Sequence, residues 1–213
     1  RERIMNQDRL AKLRARYAGA SGADIHDPRF AEVAAGQFKG DRRKWPFSDV
    51  ATFVNAPYRP DALSQPDLGG LDVAIIGLPM DLGVTNRAGT RLGPRAVRAV
   101  ERIGPMDHSL GTAPLGMLKV ADIGDVPFRS RYSLESCHED IEATFKTIVK
   151  AGVSTLAVGG DHSITYPILK AVGEKRPVGM VHIDAHCDTS GPYEGSKFHH
   201  GGPFRQAVLD GVL

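Results

Sequence analysis

Cysteine is nearly missing: the 213 residues hold two, Cys137 and Cys187. Two thiols exclude a disulfide framework and any thiolate-rich zinc or iron–sulfur centre, and such sparse usage fits free thiols in a reducing cytosol. No apolar run approaches the ~20 residues of a membrane-spanning helix, and no charged-then-apolar leader opens the chain, so no membrane partner is expected. An excess of one charge is missing too, since 27 Lys and Arg face 25 Asp and Glu for a formal net charge of +2. With a single tryptophan, Trp45, and scattered aromatics, the chain has neither the basic field nor the stacking platform of a nucleic-acid binder. Gly-Lys-Ser and Gly-x-Gly-x-x-Gly patterns are absent as well, so Gly89, Gly93 and Pro94 are read as a tight turn rather than a phosphate cradle.

What is present is alternation. Apolar runs at Val73–Gly77, Leu118–Ala121, Thr155–Val158 and Val178–Ile183 read as strands, and helical spacing marks Pro94–Arg102, Leu134–Lys150 and Ile164–Glu174. Strands alternating with helices predict an α/β fold, a three-layer arrangement with a mostly parallel sheet flanked by helices. The first sixty residues differ in texture. Arg1 to Tyr17 is basic, with Ile4, Leu10, Leu13 and Tyr17 sharing part of a helical face, and the following stretches are rich in Pro, Gly and Asp. Residues 1–60 are therefore read as an amino-terminal arm with a short, solvated basic helix, and 61–213 as α/β domain.

Chemistry concentrates at two strand ends. The run at Met180 ends in Asp184-Ala-His186-Cys-Asp188, and on an extended chain Asp184, His186 and Asp188 share a face while Cys187 points away. The run at Leu156 ends in Gly159-Gly-Asp-His162-Ser163, with Ser163 placed to cap the helix that follows. Strand, helix, strand reads as a right-handed βαβ unit, which brings both carboxyl ends to the same sheet edge, where open parallel sheets bind ligands. His162, Asp184, His186 and Asp188 are the expected metal ligands. Carboxylate and imidazole without thiolate suit a hard to borderline divalent ion such as Mn²⁺, and the number of carboxylates suggests that Asp184 bridges two ions.

These residues resemble a known family. Gly159-Gly-Asp-His-Ser163 and Asp184-Ala-His-Cys-Asp188 are similar to the metal motifs of the ureohydrolases, the arginases, agmatinases and related binuclear manganese enzymes that act on guanidino compounds. Gly77-Leu-Pro-Met-Asp-Leu-Gly83, Arg87-Ala-Gly-Thr-Arg-Leu-Gly-Pro94 with Arg98, Asp122-Ile-Gly-Asp-Val126 and His200-Gly-Gly-Pro-Phe204 extend the likeness over roughly residues 70–213. The resemblance implies an arginase-like sheet and two Mn²⁺ per complete subunit. His162 and Asp188 would hold one ion, His186 the other, and Asp184 would bridge them. It also implies a homo-oligomer, trimer or hexamer. The family's later Asp-x-Asp segment has no counterpart before Leu213, so the resemblance further implies a chain lacking the carboxy-terminal third, with weak metal binding and little turnover.

By the same resemblance the reaction is hydrolysis of a guanidino compound to urea and a primary amine. A guanidinium carbon is a weak electrophile, so the attacking water needs a metal to become a hydroxide near neutral pH, and Asp188 would orient it. His200, which the Gly-x-Pro context favours over His199, would protonate the leaving amine. Where arginases carry an Asn two residues after the last Asp this chain has Ser190, which favours agmatine over arginine; Glu194 and Lys197 in the next loop leave guanidinobutyrate or guanidinopropionate as alternatives. Two other readings remain open: a catalytically inactive binding relative, and a single-zinc deacylase sharing the parallel sheet.

Overall fold

The structure is a computed structural model that describes residues 7–18, 49–100, 107, 109–112 and 114–213. Its centre is β1 (Val73–Leu78), whose sequence Val-Ala-Ile-Ile-Gly-Leu is apolar on both faces and buried from Ala74 onward. Such a strand is stable only with a layer on each side and a neighbour on each edge. Both neighbours are parallel to it: β2 (Val120–Asp125) on one edge and β3 (Ser154–Gly159) on the other, giving the order β2-β1-β3.

The chain leaves β1 through α2 (Gly93–Arg98) and the short α3 (Pro114–Met117), forms β2, and crosses through α4 (Leu134–Lys150) to β3. It continues into α5 (Thr165–Val172) and ends with α6 (Pro203–Leu209), while α1 (Gln7–Tyr17) lies far upstream and buries none of its residues. Ala74, Ile76 and Leu78 face one core with Ile141, Phe145 and Ile148 of α4. Ile75 faces the other with Phe53 and Ala56, as period-two alternation requires. The chain passes from β1 to β2 on one edge and then crosses back past β1 to β3 on the other, so the β1/β3 edge is a topological switch point.

The helix expected over Leu134–Lys150 forms with those bounds, capped by Ser133 Oγ accepting from the Ser136 N–H. The strand expected at Leu118–Ala121 lies two residues later and is longer, because Asp122 and Asp125 are carried inside it as ion-pair partners of Arg98. The strand expected at Val178–Ile183 does not form, and neither does the βαβ unit built on it. Those residues make no ladder, with Val181 90% and Ile183 94% exposed. An apolar run becomes a strand only where a neighbouring backbone answers its N–H and C=O groups in register, and here a single bond, from the Val178 N–H to the Val212 carbonyl at 3.1 Å, is all that the described backbone supplies. The helix expected over Pro94–Arg102 is seen as α2 and ends at Arg98; residues 101 and 102 lie outside the described ones, as do residues 1–6 and 19–48 of the expected arm.

His138 of α4 is buried against Tyr166 and Phe198, with Nε2 3.2 Å from Ser163 Oγ and Nδ1 unpartnered. Burial, helped by the charge of Lys170, pushes its pKa down to about 4. The unfolded chain protonates this imidazole near pH ~6.5, so the folded state binds fewer protons between those values. The stabilisation is complete above the higher pKa and is lost as pH falls toward the lower one, about 3 kcal/mol in all from this group. Urea unfolding at pH ~7 and ~4.5 should show the loss, and His138→Phe should flatten it; an unchanged slope in the variant would refute the assignment.

Candidate metal centre

The turn after β3 is built to press against the turn after β1. A Cβ on Gly160 would lie 2.3 Å from the Met80 carbonyl oxygen, so only glycine lets the chain turn there. Asp161 then caps the 3₁₀ turn His162–Ile164 by accepting from the Ser163 N–H at 2.8 Å. The expected capping role for Ser163 therefore belongs to Asp161. Ser163 itself is buried with its hydroxyl toward His138. The result is an imidazole, His162, held at the tip of β3 by a rigid turn.

Four side chains converge there. Ligand atoms of His162, His182, Asp184 and Asp188 all lie within 4.8 Å of one another. His162 Nδ1 is 2.5 Å from Asp188 Oδ2 and 3.5 Å from Asp184 Oδ2, and His182 Nε2 is 3.4 Å from the same Asp184 oxygen. Phe204 of α6 sets both rings, its own ring edge-on at 5.4 Å from His162 and 4.4 Å from His182. Asp184 is held below the usual carboxylate range, first by the His186 N–H and then by the flanking imidazoles. Asp188 is buried and has φ +48°, a left-handed conformation that aspartate tolerates better than most residues.

The donor set fits a divalent ion. His182 Nε2 is buried and makes no hydrogen bond, an orphan polar atom aimed into a cluster of acceptors. A buried nitrogen left so is costly unless a cation or proton answers it. Two imidazoles and two carboxylates with no thiolate match the harder first-row metals.

His186 is not part of this convergence. Asp184 Oδ1 accepts from the His186 N–H at 2.9 Å, a turn that ends the extended run at Asp184 and swings the His186 side chain out to 82% exposure, with Nδ1 3.6 Å from Asp184 Oδ1. The fourth converging side chain is that of His182, a residue the sequence analysis did not single out. Its signal was in the sequence, since it stands two residues before Asp184 and shares its face on an extended chain. His200 is tied to the loop after β1: its N–H and its Nδ1 both reach the Gly83 carbonyl oxygen at 2.9 Å. Ser190 is exposed and pairs through its N–H with the Gly201 carbonyl. Glu194 lines a cleft of about 630 Å³ together with Tyr132, Glu135, Tyr193 and Gly83. Lys197 is not among that cleft's lining, and its ammonium sits 4.9 Å above the Phe198 ring.

Beside the site, Asp81 accepts from the Gly89 N–H at 2.6 Å and the Arg91 Nε at 2.5 Å, which closes the glycine-rich turn as a structural loop. Arg91 holds the Asp81 carboxyl below its usual range.

Residues 71–213 match the arginase family. The chain belongs to that family. It is 47% identical over 151 residues to the mitochondrial agmatinase of Gallus gallus, covering 70% of this chain and 44% of that protein. It is 40% identical over 199 residues to the mitochondrial guanidino acid hydrolase of Homo sapiens, covering 86% and 56%. Among solved structures, the proclavaminate amidino hydrolase from Streptomyces clavuligerus superposes with TM-score 0.71 at 29% identity, over 80% of this chain and 55% of that one. This arginase-family chain thus spans about half the length of the curated relatives it matches. The parallel sheet flanked by helices is the family's fold. Among the described residues no helix is long and apolar enough to cross a membrane.

Proposed function

We propose that the protein is a metal-dependent amidinohydrolase that cleaves a guanidino compound to urea and a primary amine, with Mn²⁺ as the ion and agmatine as the favoured substrate. The convergence of His162, His182, Asp184 and Asp188 at one sheet edge carries this reading. These residues would hold the metal, and His186 would join them in the binuclear form that the family likeness suggests. A divalent ion held there supplies Lewis acidity that lowers the pKa of water from 15.7 to ~7. Asp188 orients the attacking oxygen through its carboxylate. His200 has a protonatable Nε2 and, with Nδ1 anchored on Gly83, delivers a proton to the leaving amine.

Charge in the cleft supports the choice of substrate. Glu135 and Glu194 line it, and among the described residues no Lys or Arg does. A cationic tail is drawn to such a cleft while a carboxylate tail is repelled. The human relative's name favours a second reading, hydrolysis of guanidinobutyrate or guanidinopropionate. Lys197 would then have to leave Phe198 to greet the carboxylate.

The test is urea release by the protein at its full encoded length, expressed with Mn²⁺, over agmatine, guanidinobutyrate, guanidinopropionate and arginine. Agmatine should give the highest kcat/KM, and Glu194→Gln should lower it about tenfold or less, chiefly through KM. Preference for a guanidino acid would overturn the substrate choice, and no urea from any of the four would overturn the activity. A trimer or hexamer is the assembly we propose from the family likeness. The cytosol is the location we propose, a reading that the free thiols Cys137 and Cys187 support and to which the mitochondrial names of two relatives offer the rival.

A further inference from the structure

Asp161 is a carboxylate buried to 4% exposure, and among the described residues no Lys, Arg or His is paired with it. A charge in that position is stable only if hydrogen bonds replace its water. Two backbone amides do so. Oδ1 accepts from the Ser163 N–H at 2.8 Å, and Oδ2 accepts from the Gly83 N–H at 2.9 Å, across 78 residues of sequence. The first bond shapes the turn that carries His162. The second ties that turn to the loop after β1.

Gly83 passes the constraint on. Its carbonyl oxygen lies 2.9 Å from the His200 backbone nitrogen and 2.9 Å from His200 Nδ1. A carbonyl only accepts, so Nδ1 must carry a hydrogen, and in the neutral ring the lone pair is left on Nε2. Glycine is required at the junction, because a Cβ there would lie 2.7 Å from Ser163 Oγ and 2.9 Å from Asp161 Oδ1. His138 closes the far side through its 3.2 Å contact with Ser163 Oγ.

We infer that Asp161 is a positioning residue whose single carboxylate fixes both the metal-ligand turn at His162 and, through Gly83, the tautomer and orientation of the His200 ring. The contacts stand on geometry alone. Their catalytic meaning rests on the proposed role of His200 as proton donor. In water a free imidazole prefers its hydrogen on Nε2, so an Nδ1–H form at His200 reports the clamp and not the ring's own bias.

The test uses the protein at its full encoded length with ¹⁵N-labelled histidine. Side-chain ¹⁵N–¹H correlation spectra at pH ~8, where an ordinary imidazole is neutral, should show His200 as the Nδ1–H tautomer. Asp161→Asn keeps the size of the side chain but leaves only one oxygen for two N–H donors, and should shift His200 toward Nε2–H. Mn²⁺ affinity measured by titration should fall by about 10–100-fold, the loss typical of a residue that orients a ligand. An Nε2–H ring in the unaltered chain, or an unchanged tautomer and affinity in Asp161→Asn, overturns the inference. If the variant does not fold, hydrogen exchange in the unaltered chain decides: slow Gly83 and Ser163 amides support the clamp, and fast ones overturn it. Neither readout needs turnover, so the clamp can hold while the guanidino reading fails, and the reverse.

Discussion

Replacing Arg98 with alanine should cost the fold about 3–5 kcal/mol, the loss expected when one partner is removed from a buried ion pair. Arg98 is 13% exposed and reaches Asp122 through Nε at 2.8 Å and through a terminal nitrogen at 3.0 Å, and it also bonds Asp125 at 2.6 Å and the Gly124 carbonyl at 2.8 Å. Its guanidinium carbon stands 4.0 Å from the centre of the Phe53 ring. Burial alone would lower the Arg98 pKa, but the two carboxylates outweigh it and raise it. The Asp122 side chain is fully buried and also accepts from the Phe53 and Gly124 N–H groups. Without Arg98 that charge stays inside β2 with two amides and no cation. In a chain of this length the loss should lower Tm by roughly 6–20 °C. Lysine should rescue only part of it, because one ammonium cannot reproduce the planar fork that spans both carboxylates. A urea-derived loss below about 1 kcal/mol for Arg98→Ala would place this pair with surface ion pairs and refute its structural weight.

The same network shows where the sequence is readable and where it is not. Helix α4 was legible to its last residue because a Ser cap and apolar residues at helical spacing, Cys137, Ile141, Phe145 and Ile148, say the same thing. In β2 the expected strand ended at Ala121, since an aspartate inside a buried strand looks like an end until its partner, 24 residues away, is known. The reverse happened at Val178–Ile183, where apolar composition alone suggested a strand although the run forms no ladder and only its first N–H meets a described carbonyl, that of Val212. Both differences have one cause: pairing is a non-local property. His162, Asp184 and Asp188 were found by their local motifs, and the structure brings them together. His186 was expected beside them because alternation was carried past Asp184, where an Asx turn ends it. His182 was visible in the same alternation one step earlier, but the motif drew attention downstream. The Asp161 to Gly83 bond, spanning 78 residues, had no local signature.

Asp188→Asn should abolish measurable Mn²⁺ binding to the chain or weaken it by more than the ~10–100-fold typical of outer-shell residues. Asparagine keeps the volume and accepts the left-handed backbone at φ +48°, so the fold, including the Phe204 N–H bond to the residue 188 carbonyl, should survive. What is lost is charge. Removing one carboxylate leaves Asp184 as the only anion of the cluster, against two imidazoles that are neutral when they ligate. His162 is also affected, since its Nδ1 meets Asp188 at 2.5 Å and the charged acceptor that orients the ring toward the site becomes a neutral amide. The control is His186→Ala. With its side chain 82% exposed and outside the four-residue convergence, it should change single-ion affinity by less than tenfold, while His182→Ala should weaken it by more than tenfold. Calorimetric titration of the three variants with Mn²⁺ separates the ligand sets. If His186→Ala is the more damaging of the two histidine variants, metal binding pulls residue 186 inward and the site rearranges around a DxHxD ligand set; if His182→Ala is, the cluster seen at the strand tip is the one that takes the ion.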